Sequence, residues 1–193
     1  MSTVFDRIEQ VTAARPEDRS SAPVVYAVDA RDRIVKLNDA WHEFAITNGA
    51  PQTAEHVLGT SLWDHVTGAE VTMLWRDLLA RARAGHTLAV PFRCDAPGER
   101  RELEMVVVPA GDGGLTFISL SRSTFARRPL IPAADGDVAL ITCSWCNRFL
   151  APAGWVEVEE AVAELGLFEG EPPPLTHTLC PSCDVRVRAE AGL

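Results

Sequence analysis

Four cysteines in the last third of the 193-residue chain carry its strongest chemical signal. They form two Cys-x-x-Cys pairs, Cys143/Cys146 and Cys180/Cys183, with 33 residues between the pairs. Each pair can present two thiolates on one side of a tight turn, and two pairs together supply the tetrahedral four-sulfur shell that zinc prefers. The spacing therefore predicts one zinc ion bound by these four cysteines.

A full set of thiolates favours a structural zinc over a catalytic one, because a catalytic zinc keeps one coordination position open. A segment this short has little core of its own, so the metal would supply much of its folding free energy. His177, three residues before Cys180, is an alternate ligand or a hydrogen-bond donor to a thiolate. An iron-sulfur cluster is an alternative to zinc.

The N-terminus lacks the basic residues and the following apolar stretch of a secretory signal, so we expect a cytoplasmic protein. In that compartment paired cysteines bind metal more readily than they form disulfides.

Two redox functions remain alternatives to a structural site. One is a zinc-thiolate switch that responds to oxidation. A thiol-disulfide oxidoreductase would need a Cys-x-x-Cys pair at a helix start within a βαβ unit, which the sequence does not predict.

The net charge of the chain indicates which classes of molecule it is expected to bind. The formal net charge is -9, and binding to nucleic acid or anionic lipid relies on basic side chains. The longest apolar runs are too short to span a bilayer, which takes about 18 residues or more. We therefore expect protein or small-molecule partners, with no nucleic acid and no membrane. Between the cysteine pairs, glutamates form a solvated helix face or, alternatively, an acidic docking patch: Glu157, Glu159, Glu160, Glu164, Glu169 and Glu171.

The elements before the cysteines alternate between strand and helix patterns. Apolar runs at 24–28 and 33–37 flank a polar tetrad and predict a hairpin, after which Asn38 or Asp39 can cap a short helix. Thr67 and Glu70 have capping-box spacing before a stretch with one apolar face, which predicts a longer helix. Three more strands are predicted at 87–94, 101–109 and 114–121. This pattern predicts an α+β fold.

Residues 22–121 resemble a PAS domain. The resemblance is carried by Val28-Asp29 before the turn, by residues 34–41 at the helix entry, and by residues 58–64 before the long helix. It implies a five-stranded antiparallel sheet with flanking helices, around a cavity that can hold a small molecule. It also implies a sensory role, with a homodimer through this domain as one possible assembly.

Eight apolar residues are candidates to line that cavity, although the same residues could simply fill a core. They are Val28, Leu37, Phe44, Leu78, Val90, Leu103, Met105 and Phe117. The sequence does not identify the ligand.

The C-terminal part is similar to a cysteine-pair cassette that accompanies PAS or receiver domains in bacterial signalling proteins. The similarity rests on residues 143–146, Trp155 and residues 175–183. Apolar spacing predicts a helix over 155–166. The predicted organisation is a helical leader at 1–21, a PAS-like domain at 22–121, a linker at 122–137 and a zinc-ribbon-like segment at 138–188.

No catalytic residue is predicted. The sequence therefore favours a non-enzymatic sensory or regulatory module with a structural zinc and a protein signalling partner.

Overall fold

The computed structural model describes residues 22–50, 56–96, 98–126, 140–165 and 174–193. The predicted leader at 1–21 and linker residues 127–137 lie outside these ranges. Among the described residues, no helix has the length and apolar character needed to cross a membrane.

An antiparallel sheet of five strands forms the first part of the fold. Its strand order is β2-β1-β5-β4-β3, and helical elements flank it. The strands are β1 (Val24–Val28), β2 (Ile34–Leu37), β3 (Leu88–Arg93), β4 (Glu99–Pro109) and β5 (Leu115–Ala126). The helices are α1 (Asp39–Thr47), a short 3-10 helix (Leu62–His65) and α2 (Ala69–Arg83). The predicted α+β arrangement, a five-stranded antiparallel sheet with flanking helices, is confirmed.

Local hydrogen bonds explain where these elements begin. The Asp29 carboxylate accepts from the backbone N–H groups of Arg31 and Arg33, at 2.8 Å each, and thereby closes the β1-β2 turn. The Asn38 side chain accepts from the N–H of Trp41 at 2.9 Å and caps α1, as predicted. The same carboxamide also accepts from Val25 of β1, so one residue fixes the helix to the sheet.

Two predicted boundaries differ from the structure. The capping box at Thr67 and Glu70 is wrong, because α2 begins after Gly68 without a side-chain cap; a capping box instead forms between Ser61 and Asp64 of the 3-10 helix. Strand β5 continues to Ala126 rather than ending at 121. The added residues 122–126 continue the pairing with β4, and polar side-chain contacts accompany it, including an Arg122–Glu104 ion pair. An apolar sequence pattern therefore does not predict this part of the strand.

The cysteine segment contains its own sheet of four strands. The strands are β6 (Leu140–Cys143), β7 (Phe149–Ala151), β8 (Gly154–Val156) and β9 (Leu175–Thr178), in the order β8-β7-β6-β9 with β6 and β9 parallel. The predicted helix start at Trp155 is wrong, since that residue lies in β8 and helix α3 spans Val158–Leu165.

The sequence did not predict the helix that begins within the second cysteine pair. Helix α4 spans Pro181–Ala191, with proline in its first turn and Gly192 in the left-handed conformation at its C-terminus. Both positions are typical of helix ends. Its weak apolar periodicity concealed it, because only Cys183, Val187 and Ala191 are buried.

One continuous core joins the two parts. Leu74 and Leu78 of α2 belong to the same buried cluster as Val187 of α4 and the cysteines Cys143 and Cys180. The cysteine segment also covers β3, which lies at the edge of the five-stranded sheet. An exposed edge strand is prone to pair with other chains, so this packing protects the edge of the sheet.

Replacing Gly68 tests this packing, because a Cβ at that position would lie 2.4 Å from the carbonyl oxygen of His177 in β9. We expect Gly68→Ala to lower the free energy of unfolding by about 2 kcal/mol or more, combining strain at positive φ with a backbone clash. Urea denaturation followed by tryptophan fluorescence measures the change.

Gly85→Ala is the matched control, since Gly85 also has positive φ but its Cβ would meet open space. Equal losses in the two variants would show that the contact between Gly68 and β9 contributes nothing to stability.

Candidate metal centre

The four cysteines of the two pairs converge on a single point. Their sulfur atoms all lie within 4.8 Å of one another, and the sulfurs of Cys146 and Cys180 are 3.8 Å apart. Zinc-sulfur bonds of about 2.3 Å in a tetrahedron place neighbouring sulfurs about 3.8 Å apart. No disulfide is present among these cysteines. The arrangement can therefore hold one metal ion.

The two pairs are positioned by different local structures. Cys143 ends β6 and Cys146 lies in the following turn, which the N–H of Asn147 closes by donating to the Cys143 carbonyl at 2.9 Å. Cys180 is instead the N-cap of α4, and Cys183 lies in its first turn. The sequence predicted a tight turn for each pair, whereas the second pair uses a helix N-terminus, whose partial positive charge favours thiolates.

Hydrogen bonds among the sulfurs set their protonation in the absence of metal. Hydrogen bonds from the Cys146 and Cys183 thiols, together with the backbone N–H of Cys180, hold the pKa of Cys143 well below its usual range. The hydrogen bond that Cys146 makes to Cys143 raises the pKa of Cys146 to about 11. A hydrogen bond to Cys143 raises the pKa of Cys183 as well. The Cys143 thiolate is thus stabilised by its neighbours, which at the same time oppose ionisation of Cys146 and Cys183.

His177 lies in β9, opposite Thr142 of β6, and does not belong to the converging cluster. The four sulfurs complete a tetrahedral set without it, so we do not propose it as a ligand.

Trp145, between the first two cysteines, joins the centre to the large sheet. Its side chain is only 3% exposed. The indole N–H donates to the Pro91 carbonyl, and the Trp145 carbonyl accepts from the N–H of Arg93 at 2.9 Å. Its ring lies 5.3 Å from that of Trp75 in α2. The turn that holds two of the four sulfurs is therefore packed directly on β3 and α2.

A partly buried set of charges surrounds this contact. Arg93 pairs with Asp95 at 2.5 Å and with Glu157 at 2.6 Å, and Glu157 also pairs with Arg148 at 3.0 Å. Although partial burial opposes ionisation of Glu157, hydrogen bonds from the two arginines lower its pKa overall. Glu157 is thus engaged within the protein, which removes it from the acidic docking patch considered from sequence.

The helix start at Cys180 bears on the oxidoreductase alternative. The sequence predicted no Cys-x-x-Cys pair at a helix start within a βαβ unit. Cys180 and Cys183 do open α4 directly after β9, but among the described residues no strand follows α4 to complete such a unit. In addition, Cys180 is 1% exposed and lies against the sulfurs of the first pair. A thiol that attacks a substrate disulfide has to be accessible, and this one is not.

Two cavities lie beside the five-stranded sheet. The first, of about 380 Å³, has a mostly apolar wall that includes Trp75 and Phe117, and the second has a volume of about 510 Å³. Among the predicted pocket residues, Leu37 and Phe117 line the first cavity, while Phe44, Leu103 and Met105 line the second. The other three, Val28, Leu78 and Val90, are fully buried core residues that line neither cavity.

Four aromatic residues in the cavity walls were not predicted. Tyr26 and Trp41 line both cavities, Trp75 lines the first, and Phe92 lines the second. Tyr26 could have been found, since side chains two positions apart on a strand share a face and Val28 was already a candidate. Trp75 lies on the apolar face of α2, where the sequence pattern does not separate a core position from a cavity wall.

Comparison with known proteins yields structural similarities alone, since no family model and no curated protein matches the chain. A domain of a sensory box sensor histidine kinase/response regulator from Geobacter sulfurreducens is 20% identical, with 63% of this chain and 97% of that chain covered and a TM-score of 0.39. The PAS domain of Bordetella pertussis BvgS is 18% identical, with coverages of 61% and 84% and a TM-score of 0.36. A sensory box sensor histidine kinase from Vibrio cholerae is 14% identical, with coverages of 61% and 94% and a TM-score of 0.38. TM-scores this low do not assign the chain to a family.

Replacing one cysteine tests the centre. We expect Cys143→Ser, Cys180→Ser or Cys183→Ser to weaken zinc binding by more than about 100-fold, because loss of a direct ligand exceeds the effect of losing an outer hydrogen bond. Competition with a chromophoric chelator measures the affinity. Cys94→Ser is the control, since Cys94 lies outside the cluster; if it weakened zinc binding equally, the assignment of the four ligands would fail.

Proposed function

We propose that this chain is a non-enzymatic sensory or regulatory module, in which the PAS-like sheet domain receives a small ligand and the cysteine segment carries one structural zinc. The observation that carries the proposal is the direct contact between a cavity wall and the metal centre, made by Trp75 and Trp145. We propose Cys143, Cys146, Cys180 and Cys183 as the zinc ligands. The module would act in the cytoplasm on a protein partner, either as a monomer or as a homodimer through the sheet domain.

Zinc in the proposed site stabilises the segment rather than reacting. Four sulfurs fill the tetrahedral shell, which leaves no position for a substrate or a water molecule. Three of the four cysteines are fully buried. The ion would link β6, the turn after it and the start of α4, elements that are far apart in sequence.

Both cavities have a physical connection to this centre. Trp75 lines the first cavity and packs on Trp145. Phe92 lines the second cavity, and its two chain neighbours, Pro91 and Arg93, hydrogen-bond to Trp145. A ligand that shifts either wall would therefore act on the turn that holds Cys143 and Cys146.

A redox-responsive switch is the second candidate, favoured by the position of Cys146. It is half-buried, whereas the other three cysteines of the centre are buried. An oxidant can therefore reach this sulfur first, and oxidation of one thiolate ligand would release zinc.

Metal analysis separates these functions. We expect freshly purified protein to contain one zinc per chain and to retain it in dilute peroxide, because three of the ligands are shielded from solvent. Elemental analysis before and after peroxide measures this. Loss of zinc in peroxide would favour the switch, dithiol reductase activity of the metal-free protein would favour the enzyme, and protein that binds no metal would contradict all zinc-based functions.

Trp145→Phe tests the connection between the two parts. The variant keeps all four cysteines but removes the indole N–H that donates to Pro91, a hydrogen bond with a net contribution of about 1 kcal/mol. We expect full zinc content, with hydrogen exchange of the Arg93 amide about five- to tenfold faster because that amide donates to Trp145. Residue-resolved exchange by NMR is the measurement.

Trp63→Phe is the matched control, because it also removes an indole hydrogen bond, here the 2.8 Å bond to Asp32 within the sheet domain. It should leave exchange at Arg93 unchanged. Unchanged exchange in Trp145→Phe as well would contradict the proposed connection.

A further inference from the structure

The second cavity has an amphipathic wall. Strand β4 contributes Glu99, Arg101, Leu103 and Met105, and β5 contributes Ser119, Ser121 and Thr124. Aromatic side chains from α1, Trp41 and Phe44, complete the apolar part of the wall, together with Tyr26 and Phe92. A space of about 510 Å³ with a mainly apolar wall and a few polar groups is typical of a small-molecule site.

Arg101 differs from the two other arginines of this region. Arg93 pairs with Asp95, and Arg100 pairs with Glu102 at 3.3 Å. The Arg101 guanidinium instead donates only to neutral oxygens, the Cys94 carbonyl at 2.8 Å and the Asn48 side chain at 2.7 Å. Within the described ranges no carboxylate pairs with it, so its charge is uncompensated at the cavity wall.

The guanidinium is nevertheless held in place. Its central carbon lies 5.2 Å from the centre of the Phe44 ring, and both residues line the cavity. Stacking of this kind positions the plane of the guanidinium while leaving N–H groups free, and a planar guanidinium matches the two oxygens of a carboxylate.

Tyr26 offers a second polar group at the boundary of the two cavities. Its ring stacks on Phe117 with centroids 4.5 Å apart, and the residue lines both cavities. Burial raises the pKa of Tyr26, so the phenol remains protonated and can donate a hydrogen bond to a bound molecule.

We propose that the second cavity binds a small organic carboxylate with an apolar body, with the carboxylate on Arg101 and the apolar part against Phe44, Leu103 and Met105. This inference rests on the proposed sensory function and names its ligand class. Glu99 shares the Arg101 face of β4, since the two are two residues apart. It would repel a simple acid weakly and would attract the ammonium group of an amino acid.

Titration calorimetry with matched probes tests the proposal. We expect 3-phenylpropionate to bind the zinc-loaded protein about tenfold or more tightly than 3-phenylpropanamide, the neutral analogue of the same shape, because a hydrogen bond between two charged groups is stronger. Arg101→Gln should abolish this preference, while Arg101→Lys should keep part of it.

Arg100→Gln is the control, because Arg100 is the neighbouring arginine on β4 and does not line the cavity. It should preserve the preference for the acid. Phenylalanine as a third probe identifies the kind of carboxylate: binding tighter than that of 3-phenylpropionate indicates an amino acid, and weaker binding indicates a simple acid. Either result supports a carboxylate ligand.

Failure of the carboxylate proposal and failure of the proposed sensory function give different results. Equal affinity for the acid and the amide, or no effect of Arg101→Gln, would overturn the carboxylate proposal and leave ligand sensing intact. Absence of binding by every probe would overturn the carboxylate site together with a ligand-sensing role for this cavity. Zinc content and the thermal unfolding midpoint establish whether Arg101→Gln is folded. If it is not, Arg101→Lys replaces it, and the expected result is a reduced preference for the acid over the amide.

Discussion

The close approach of four mostly buried sulfurs is the constraint on which the C-terminal half depends. Ionised sulfurs at this distance repel one another strongly in a medium of low dielectric constant, and neutral thiols satisfy one another only in part. A divalent cation removes the conflict, because it converts mutual repulsion into four favourable bonds. With such a cation bound, the small β6 to β9 sheet and helix α4 would be held by coordination as well as by apolar packing.

The cluster of four cysteines is packed against the five-stranded sheet domain. Trp145 places its indole between the metal-binding turn and β3, and Leu74 and Leu78 of α2 share a core with Val187 of α4. Pro91 lies in the covered edge strand, where a residue without an N–H removes one hydrogen-bond donor. Its carbonyl is used instead by the Trp145 side chain. The cysteine segment thus completes the sheet domain as well as being supported by it.

The sequence predicted most of what local patterns control. Alternating apolar residues located the strands of the large sheet, the polar side chain of Asn38 located the start of α1, and the Cys-x-x-Cys spacing located the four cysteines that converge. These signals depend on residues close together in the chain. The metal-ligand spacing is informative because few other structures need it.

The features that were missed depend on contacts distant in sequence. Helix α4 has little apolar periodicity, because it packs through a narrow stripe ending in Val187 and Ala191. The outer half of β5 is polar and is stabilised by pairing with β4. The division between cavity wall and core, which separates Leu37 from Val28, depends on helix positions that one sequence does not specify.

The parallel pairing of β6 with β9 has a consequence for biosynthesis. Residues 140–143 leave the ribosome well before residues 175–178, so β6 waits for a partner that is synthesised some thirty residues later. During that interval Cys143 and Cys146 offer half a coordination shell, to which zinc would bind weakly and exchange readily. Tight metal uptake therefore coincides with the arrival of the last helix, and a nascent chain stopped before Cys180 would leave both the ion and the edge of the large sheet without their final cover.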